Sequence, residues 1–525
     1  YMVPTVYMPL AAMPMTPNGK IDRKALPEPE VSAETENVPP ETERERQFYE
    51  IAAELLGTKA FGVTDNLVSL GLSSIGAMGL AARLHCTWNL HIPATRILRS
   101  PTIRAMIALA EQGEGCTQPP FVHYAKREFY PLMENQRDIY RAWEQNSRAT
   151  QYNIPKVIPF ARVEGEALAG ALQDALNAHE YLKTRFIYVE GDVMQKPGDG
   201  DSPAVSLREL DREPDRDFFQ SRVLPFDLLG GRLYRLEIYT FDHRSWLFAD
   251  IHHMVYDGIS ANVFLAEVRR ALTGESLRGE SFSALDFSLY ERELQSREEY
   301  AHGNDYFLGL AEGAVPAVLP DSPSPDGKRV GTFALSIPAG EVNRFYKDLG
   351  VTPGSFFQAV FGETLRRVTG EEKILYVTTS GGRSAFPGLM DSVGMFAKTL
   401  PVVSKNPGEM TVREYVREVH RQLSETYARE CCPCTELLKS RGIIPETMFI
   451  YQGGISEQEP SSITLEPNAT RQPFYVDFLA QGQVYVFHVT YDGRRYSRSA
   501  VETFAGMVKH IALGFVREKY VKDVK

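Results

Sequence analysis

Two neighbouring imidazoles, His252 and His253, stand one residue, Ile251, beyond a strand-like run, Trp246-Leu247-Phe248-Ala249-Asp250, and shortly before Asp257 and Gly258. In extended backbone, successive side chains leave on opposite faces. The two histidines therefore cannot share a role: one can face a reaction channel while the other packs behind it. The chain has to fold so that this strand end meets a channel and a packed interior at once.

At 525 residues the chain holds more than one domain, each large enough to bury a core. A net charge of −11 with no basic stripe argues against a nucleic-acid surface. No apolar run reaches the length of a membrane span, and no charged-then-apolar leader is present. Tyr1-Met2-Val3-Pro4 reads as the interior of a domain, so a piece of a larger polypeptide is expected. Five cysteines make no disulfide framework, and a reducing cytoplasm suits them. Cys431-Cys432-Pro433-Cys434 lacks the second C-x-x-C pair or nearby histidines that would complete a zinc set. It reads as small buried thiols at a loop-to-helix junction, with no metal.

Along the chain, Pro17-Asn18-Gly19 is a turn that presents Lys20 at a hairpin tip. Pro27-Glu28-Pro29-Glu30 to Pro39-Pro40 has linker composition. From Glu41 to Leu56, residues Phe48, Ile51, Ala52 and Leu55 recur at helical spacing, and Gly57 closes the helix. A loop with Asp65 and Asn66 leads to Ser73-Ser74 and a second helix from Ile75 to about His85. Pro101-Thr102 opens a last helix, Ile103 to Glu111. A serine hydroxyl at the head of the second helix would sit where free N–H groups and the dipole favour an attached phosphodiester. The alternative is an N-cap serine that only satisfies the helix end. Residues 113–128 form a second linker, beyond which strands and helices mix.

The run His252–Gly258 resembles H-H-x-x-x-D-G, the signature of condensation domains of nonribosomal peptide synthetases and of relatives of chloramphenicol acetyltransferase. Other strings resemble the same family in the expected order: Phe129 to Gln136, His179 to Phe186, Pro225 to Leu233, Ser380 to Arg383, and Val393 to Pro401. Lys398-Thr399 stands where Asn-Thr is usual, and Cys431 to Cys434 where an H-Q-x-x-P-F-like string is usual. Asp65 to Ile75 resembles the carrier pattern D-x-F-F-x-L-G-G-x-S-[LI], which puts Ser74 on the modified position and Leu72 where a second glycine is common. Thr16 to Arg23 resembles the end of an adenylation domain.

The resemblance implies a multi-domain chain: an adenylation remnant at 1–30, a linker at 31–40, and a small four-helix peptidyl carrier bundle at 41–112. After the linker at 113–128, a two-lobed α/β condensation domain of chloramphenicol-acetyltransferase-like fold follows, with lobes 129–295 and 296–525. It implies phosphopantetheine held covalently on Ser74, and attack of an acceptor amine on the acyl thioester that this arm carries. His253 would accept the proton or a hydrogen bond from the amine. Gly258, lacking a Cβ, would bring its N–H close to the oxyanion. Asp257 would turn away and pair with Arg383, and His252 would be structural. The partners implied are the donor thioester on its own carrier, a downstream acceptor carrier or amine, a phosphopantetheinyl transferase and an upstream adenylation domain, with no nucleic acid or membrane.

Other functions leave their own marks. An epimerization domain shares the histidine motif but adds an E-G-H-G-R-like string, which is not found here. A heterocyclization domain carries D-x-x-x-x-D in place of the histidines. A free acyltransferase using coenzyme A would not bring its own carrier, and a silent recruitment platform would have lost His253.

Overall fold

The computed structural model describes residues 38–72, 76–77, 79–81, 83–84, 92, 94–111, 123–198, 205–280, 282–323, 329–384, 387–432, 434–452 and 462–524. The predicted helix at Glu41 begins at Glu43. Thr42 caps it by accepting the Glu45 N–H at 3.0 Å, and Glu45 reaches back to the Thr42 N–H, so a capping box fixes the start. Gly57 ends it at φ 66°, a left-handed residue that costs glycine little. Phe48, Ala52, Leu67, Leu80, Leu84, Ile97, Ile103 and Met106 close the core of this first unit. A short helix, Ala94–Arg99, precedes the predicted one at Ile103–Glu111.

The larger unit is built on two main sheets. The first runs in the order Ile463–Thr464, Asn153–Ala161, Arg244–His252, Tyr234–Phe241 and Ser206–Glu209. The second runs Lys398–Lys405, Lys373–Ser380, Thr447–Tyr451, Phe474–Gln481, Val484–Asp492 and Val330–Pro338, with Val315–Pro316 beside Lys373–Ser380. The helices Gly165–Ala178 and Gly258–Thr273 pack together and share a core with the first sheet, and Pro353–Thr369 covers the second with Phe356, Phe357 and Phe361 fully buried. Burying each such ring is worth about 1.5–3 kcal/mol.

Two segments cross the division expected near residue 295. Leu389, Val393, Met395 and Phe396 belong to the same core as Leu247, Ile251 and Met254. Ile463 and Thr464 pair antiparallel with Val157 and Lys156 of the first sheet. The first unit touches the second lobe directly. Ser69 Oγ donates to the Lys347 carbonyl at 2.7 Å, and Arg99 lies 3.8 Å from Glu425 on the helix Val412–Tyr427. Among the described residues, no helix is long and apolar enough to cross a membrane.

Candidate active site

The strand Arg244–His252 lies antiparallel to Asn153–Ala161 with His252 opposite Asn153, and it ends there. The His252 N–H donates to the Leu233 carbonyl at 2.9 Å, and its ring Nδ1 accepts the Met254 N–H at 3.2 Å. The ring stands edge-on to Phe226 at 5.7 Å. Burial, with the charges of Arg471 and Arg235 behind it, pushes its pKa down to about 3. His252 is a neutral packing piece.

At the next residue the chain turns. The His253 N–H donates to the Tyr152 carbonyl at 2.8 Å, and the residue lines a cavity of about 1460 Å³ between the two lobes. Its Nδ1 lies 3.0 Å from Met395 Sδ. A thioether sulfur can only accept, so this contact assigns the proton to Nδ1 and the lone pair to Nε2. Burial pushes the imidazole well below its ordinary pKa; Arg471 adds to that shift and Asp257 opposes it. The ring is therefore neutral near pH 7 and able to accept a hydrogen bond.

Asp257 points away from this ring and caps the helix Gly258–Thr273. Its Oδ1 accepts the Ser260 N–H and hydroxyl, each at 2.8 Å, and its Oδ2 accepts the N–H groups of Phe396 at 3.0 Å and Ala397 at 3.2 Å. Arg383 closes the arrangement as a bidentate fork, Nη1 to Oδ2 at 2.8 Å and Nη2 to Oδ1 at 3.0 Å. Its other hydrogen bonds go to the carbonyls of Leu389, Gly381 and Ser392 and to Ser260 Oγ. Each of the two residues is 1% exposed. Burial works to raise the Asp257 carboxyl, but the Arg383 charge and the bonds from Arg383 and Ser260 outweigh it and hold the group below its ordinary pKa.

Gly258 is the first residue of that helix, exposed, and part of the cavity wall. At this position a backbone N–H has no intrahelical acceptor, and the positive end of the helix dipole faces outward. The arrangement thus offers a neutral imidazole and the Gly258 N–H at the Asp257-capped helix start beside one space. A nucleophile losing a proton and a carbonyl gaining negative charge can be served together there.

The strings that contain Asn135, Gln136 and Lys398 carry no sequence signal of the supporting contacts these residues make. Gln136 Nε2 donates to the Met254 carbonyl at 2.7 Å and bonds Tyr181, which steadies the turn after His253. Asn135 Nδ2 donates to the carbonyls of Met395 and Ala397, fixing the sulfur against His253. Lys398 forms a buried ion pair with Glu291, whose other oxygen accepts the Glu134 N–H at 2.8 Å. Cys432 and Cys434 are buried free thiols, with Cys432 packed against Gly303, and Cys431 is partly buried. Cys434 precedes the helix Thr435–Ser440. Pro433 and Lys20 lie outside the described residues, as do Ser73 and Ser74. Just before the serines, Gly71 has φ 114°, which an L side chain rarely adopts, and Leu72 fills the first unit's core at 2% exposure. Helical backbone is present at Gly76 and Ala77.

Comparison with known proteins gives the family background. Residues 126–518 match the condensation-domain family, and residues 46–110 match the phosphopantetheine attachment site family. Tyrocidine synthase 2 of Brevibacillus parabrevis is 29% identical over 473 residues, which is 86% of this chain and 13% of that protein. Bacitracin synthase 3 of Bacillus licheniformis is 27% identical over 537 residues, 97% of this chain and 8% of that protein. The chain therefore spans a small part of the length of these relatives. Among solved structures, the condensation domain of a monacolin K polyketide synthase matches 75% of this chain and all of its own, with a TM-score of 0.65 at 17% identity. The first condensation domain of the CDA synthetase matches 76% of this chain and 98% of its own, with a TM-score of 0.61 at 15% identity. At these identities the structural likeness concerns the fold alone.

Proposed function

This chain belongs to the condensation-domain family, and from that premise we propose that its carrier and its cavity work in series. The carrier holds an acyl thioester on phosphopantetheine at Ser74. The arm enters the cavity, and an acceptor amine attacks the thioester carbonyl beside His253. Nε2 of His253 takes a hydrogen bond or the proton from the amine. The N–H end of the helix at Gly258 stabilises the tetrahedral oxyanion, and collapse releases the carrier thiol and leaves an amide. Asp257 and Arg383 take no proton; they hold the turn and the helix start in place.

The observation that carries this reading is the extent of the cavity. It is lined by His253 and Gly258 and also by Ala94 and Leu98 of the carrier's short helix. A tethered group confined to such a space meets its partner at high effective concentration. The acceptor is a second carrier-bound residue or a free amine. An adenylation domain, whose end Thr16 to Arg23 resembles, would load the arm after a phosphopantetheinyl transferase installs it. A reducing cytoplasm suits the free thiols of Cys432 and Cys434.

The test has two stages. Coenzyme A and a phosphopantetheinyl transferase should add one arm to the chain but none to a Ser74→Ala variant, read by intact-protein mass spectrometry. An equal mass increment in the variant would move the assignment to another residue. The arm loaded with an aminoacyl group and mixed with an aminoacyl acceptor carrier should then give a carrier-bound dipeptide. Donor loading without any dipeptide above the uncatalysed rate would overturn the proposed reaction.

A further inference from the structure

The cavity has a second polar centre, on the second lobe, that the reaction does not use. Strand Phe474–Gln481 alternates: Phe474, Val476 and Phe478 are buried in the lobe core, whereas Tyr475 and Asp477 line the cavity. Directly across the antiparallel pair from Asp477 stands His488, also on the cavity wall. Tyr475 donates to Asp477 Oδ1 at 3.1 Å, and Gln452 Nε2 donates to the same oxygen. Oδ2 accepts no hydrogen bond among the described residues, although the carboxyl keeps some surface on the cavity. A carboxylate deep in the protein with one unused oxygen is costly unless a donor meets it.

No lysine or arginine among the described residues pairs with Asp477. Arg471, whose charge acts on Asp477, is turned to the Gln151 carbonyl at 3.0 Å and lies over the rings of Tyr152 and Tyr475, 5.9 Å from each centroid. The same contacts link the two centres, because Tyr152 stands edge-on to His253 at 6.5 Å. The Asp477 wall is thus in the same space as the reacting atoms and offset from them by an intervening ring and guanidinium. Burial raises the Asp477 carboxyl pKa against the opposing pulls of His488, Tyr475, Arg471 and Gln452. A bound cation would favour the ionised form.

We infer that Asp477, oriented by Tyr475 and Gln452, is a specificity-determining site for a primary ammonium group on the tethered substrate. The inference rests on the cavity being the substrate channel of the proposed reaction. Such a group comes from one of two sources: a basic side chain on the acyl donor, or the α-amine of the acceptor.

Equilibrium binding separates these sources without requiring turnover. The probes are Nα-acetyl-lysyl, Nα-acetyl-norleucyl and Nα-free norleucyl thioesters of N-acetylcysteamine, titrated into the full chain by calorimetry. A side-chain site predicts that the acetylated lysyl probe binds about tenfold or more tightly than the acetylated norleucyl probe, as for a buried charge-assisted pair. An α-amine site predicts the same advantage for free over acetylated norleucine. In Asp477→Asn, whichever preference exists should shrink to about twofold or less. Equal affinities of all three probes for the unmodified chain would overturn the inference whatever the variant does. So would a preference that survives Asp477→Asn. Selective binding with no amide formed in the carrier assay would instead leave this site standing and remove the proposed reaction.

Discussion

A His253→Ala variant is expected to form amide about 10²–10⁴-fold more slowly than the unmodified chain, with arm loading at Ser74 unchanged. The argument begins with the ring's neutral state. Burial keeps His253 below the ordinary imidazole pKa, and the Met395 sulfur holds the proton on Nδ1. Nε2 is then an acceptor at every pH where the amine is free to attack. The sign of the pH dependence follows. A depressed pKa means that His253 does not take up a proton as pH falls through 6.5, so loss of rate on mild acidification comes from protonation of the acceptor amine. The rate profile of the unmodified chain should follow the amine's own titration when acceptors of different basicity are compared. An inflection that stays near pH 6.5 for every acceptor would assign the acid limb to His253 in its charged form and contradict the buried, neutral ring. A His253→Ala rate within threefold of the unmodified chain would remove the residue from the chemistry.

Truncating Arg383 is expected to cost about 3–5 kcal/mol in stability, because it strands a buried carboxylate. The damage should also reach the reaction. Asp257 Oδ2 anchors the Phe396 and Ala397 N–H groups, and Met395 is the next residue back. Its sulfur is the partner of His253. The measurement is denaturant unfolding of Arg383→Ala beside the double variant Asp257→Asn, Arg383→Leu. The double variant should be the more stable of the two, since it removes the buried charge together with its counter-ion. If Arg383→Ala unfolds within 1 kcal/mol of the unmodified chain, the fork is not the brace described here.

The site was legible where chemistry is local and hidden where it is assembled from distant segments. His252 and His253 follow a short apolar, aromatic-rich run whose composition announces a strand, and the strand Arg244–His252 is there. The first and last helices of the carrier were readable from the spacing of Phe48, Ile51, Ala52 and Leu55, from Gly57 and from Pro101, because periodicity and breakers are short-range signals, whereas the Thr42 cap was not picked out. The helix Ala94–Arg99 was not, since its six residues carry too little periodicity to stand out from a loop. Met395 and Asn135 could be named as parts of strings, but their role depends on a loop of the second lobe folding onto the core of the first. Lys398 looked like a departure from its family's string. Its reason is Glu291, a buried carboxylate far away in sequence. Asp477 gave no signal at all: an acidic residue in an alternating strand reads as a solvent face until the tertiary fold turns that face inward.

The pairing of Ile463 and Thr464 with Val157 and Lys156 makes the second lobe finish the first lobe's sheet. The two halves are stitched together along that edge as well as packed. Moving the lobes apart along that edge would require breaking this backbone pairing as well as the shared core of Leu389, Val393, Met395 and Phe396 with Leu247, Ile251 and Met254.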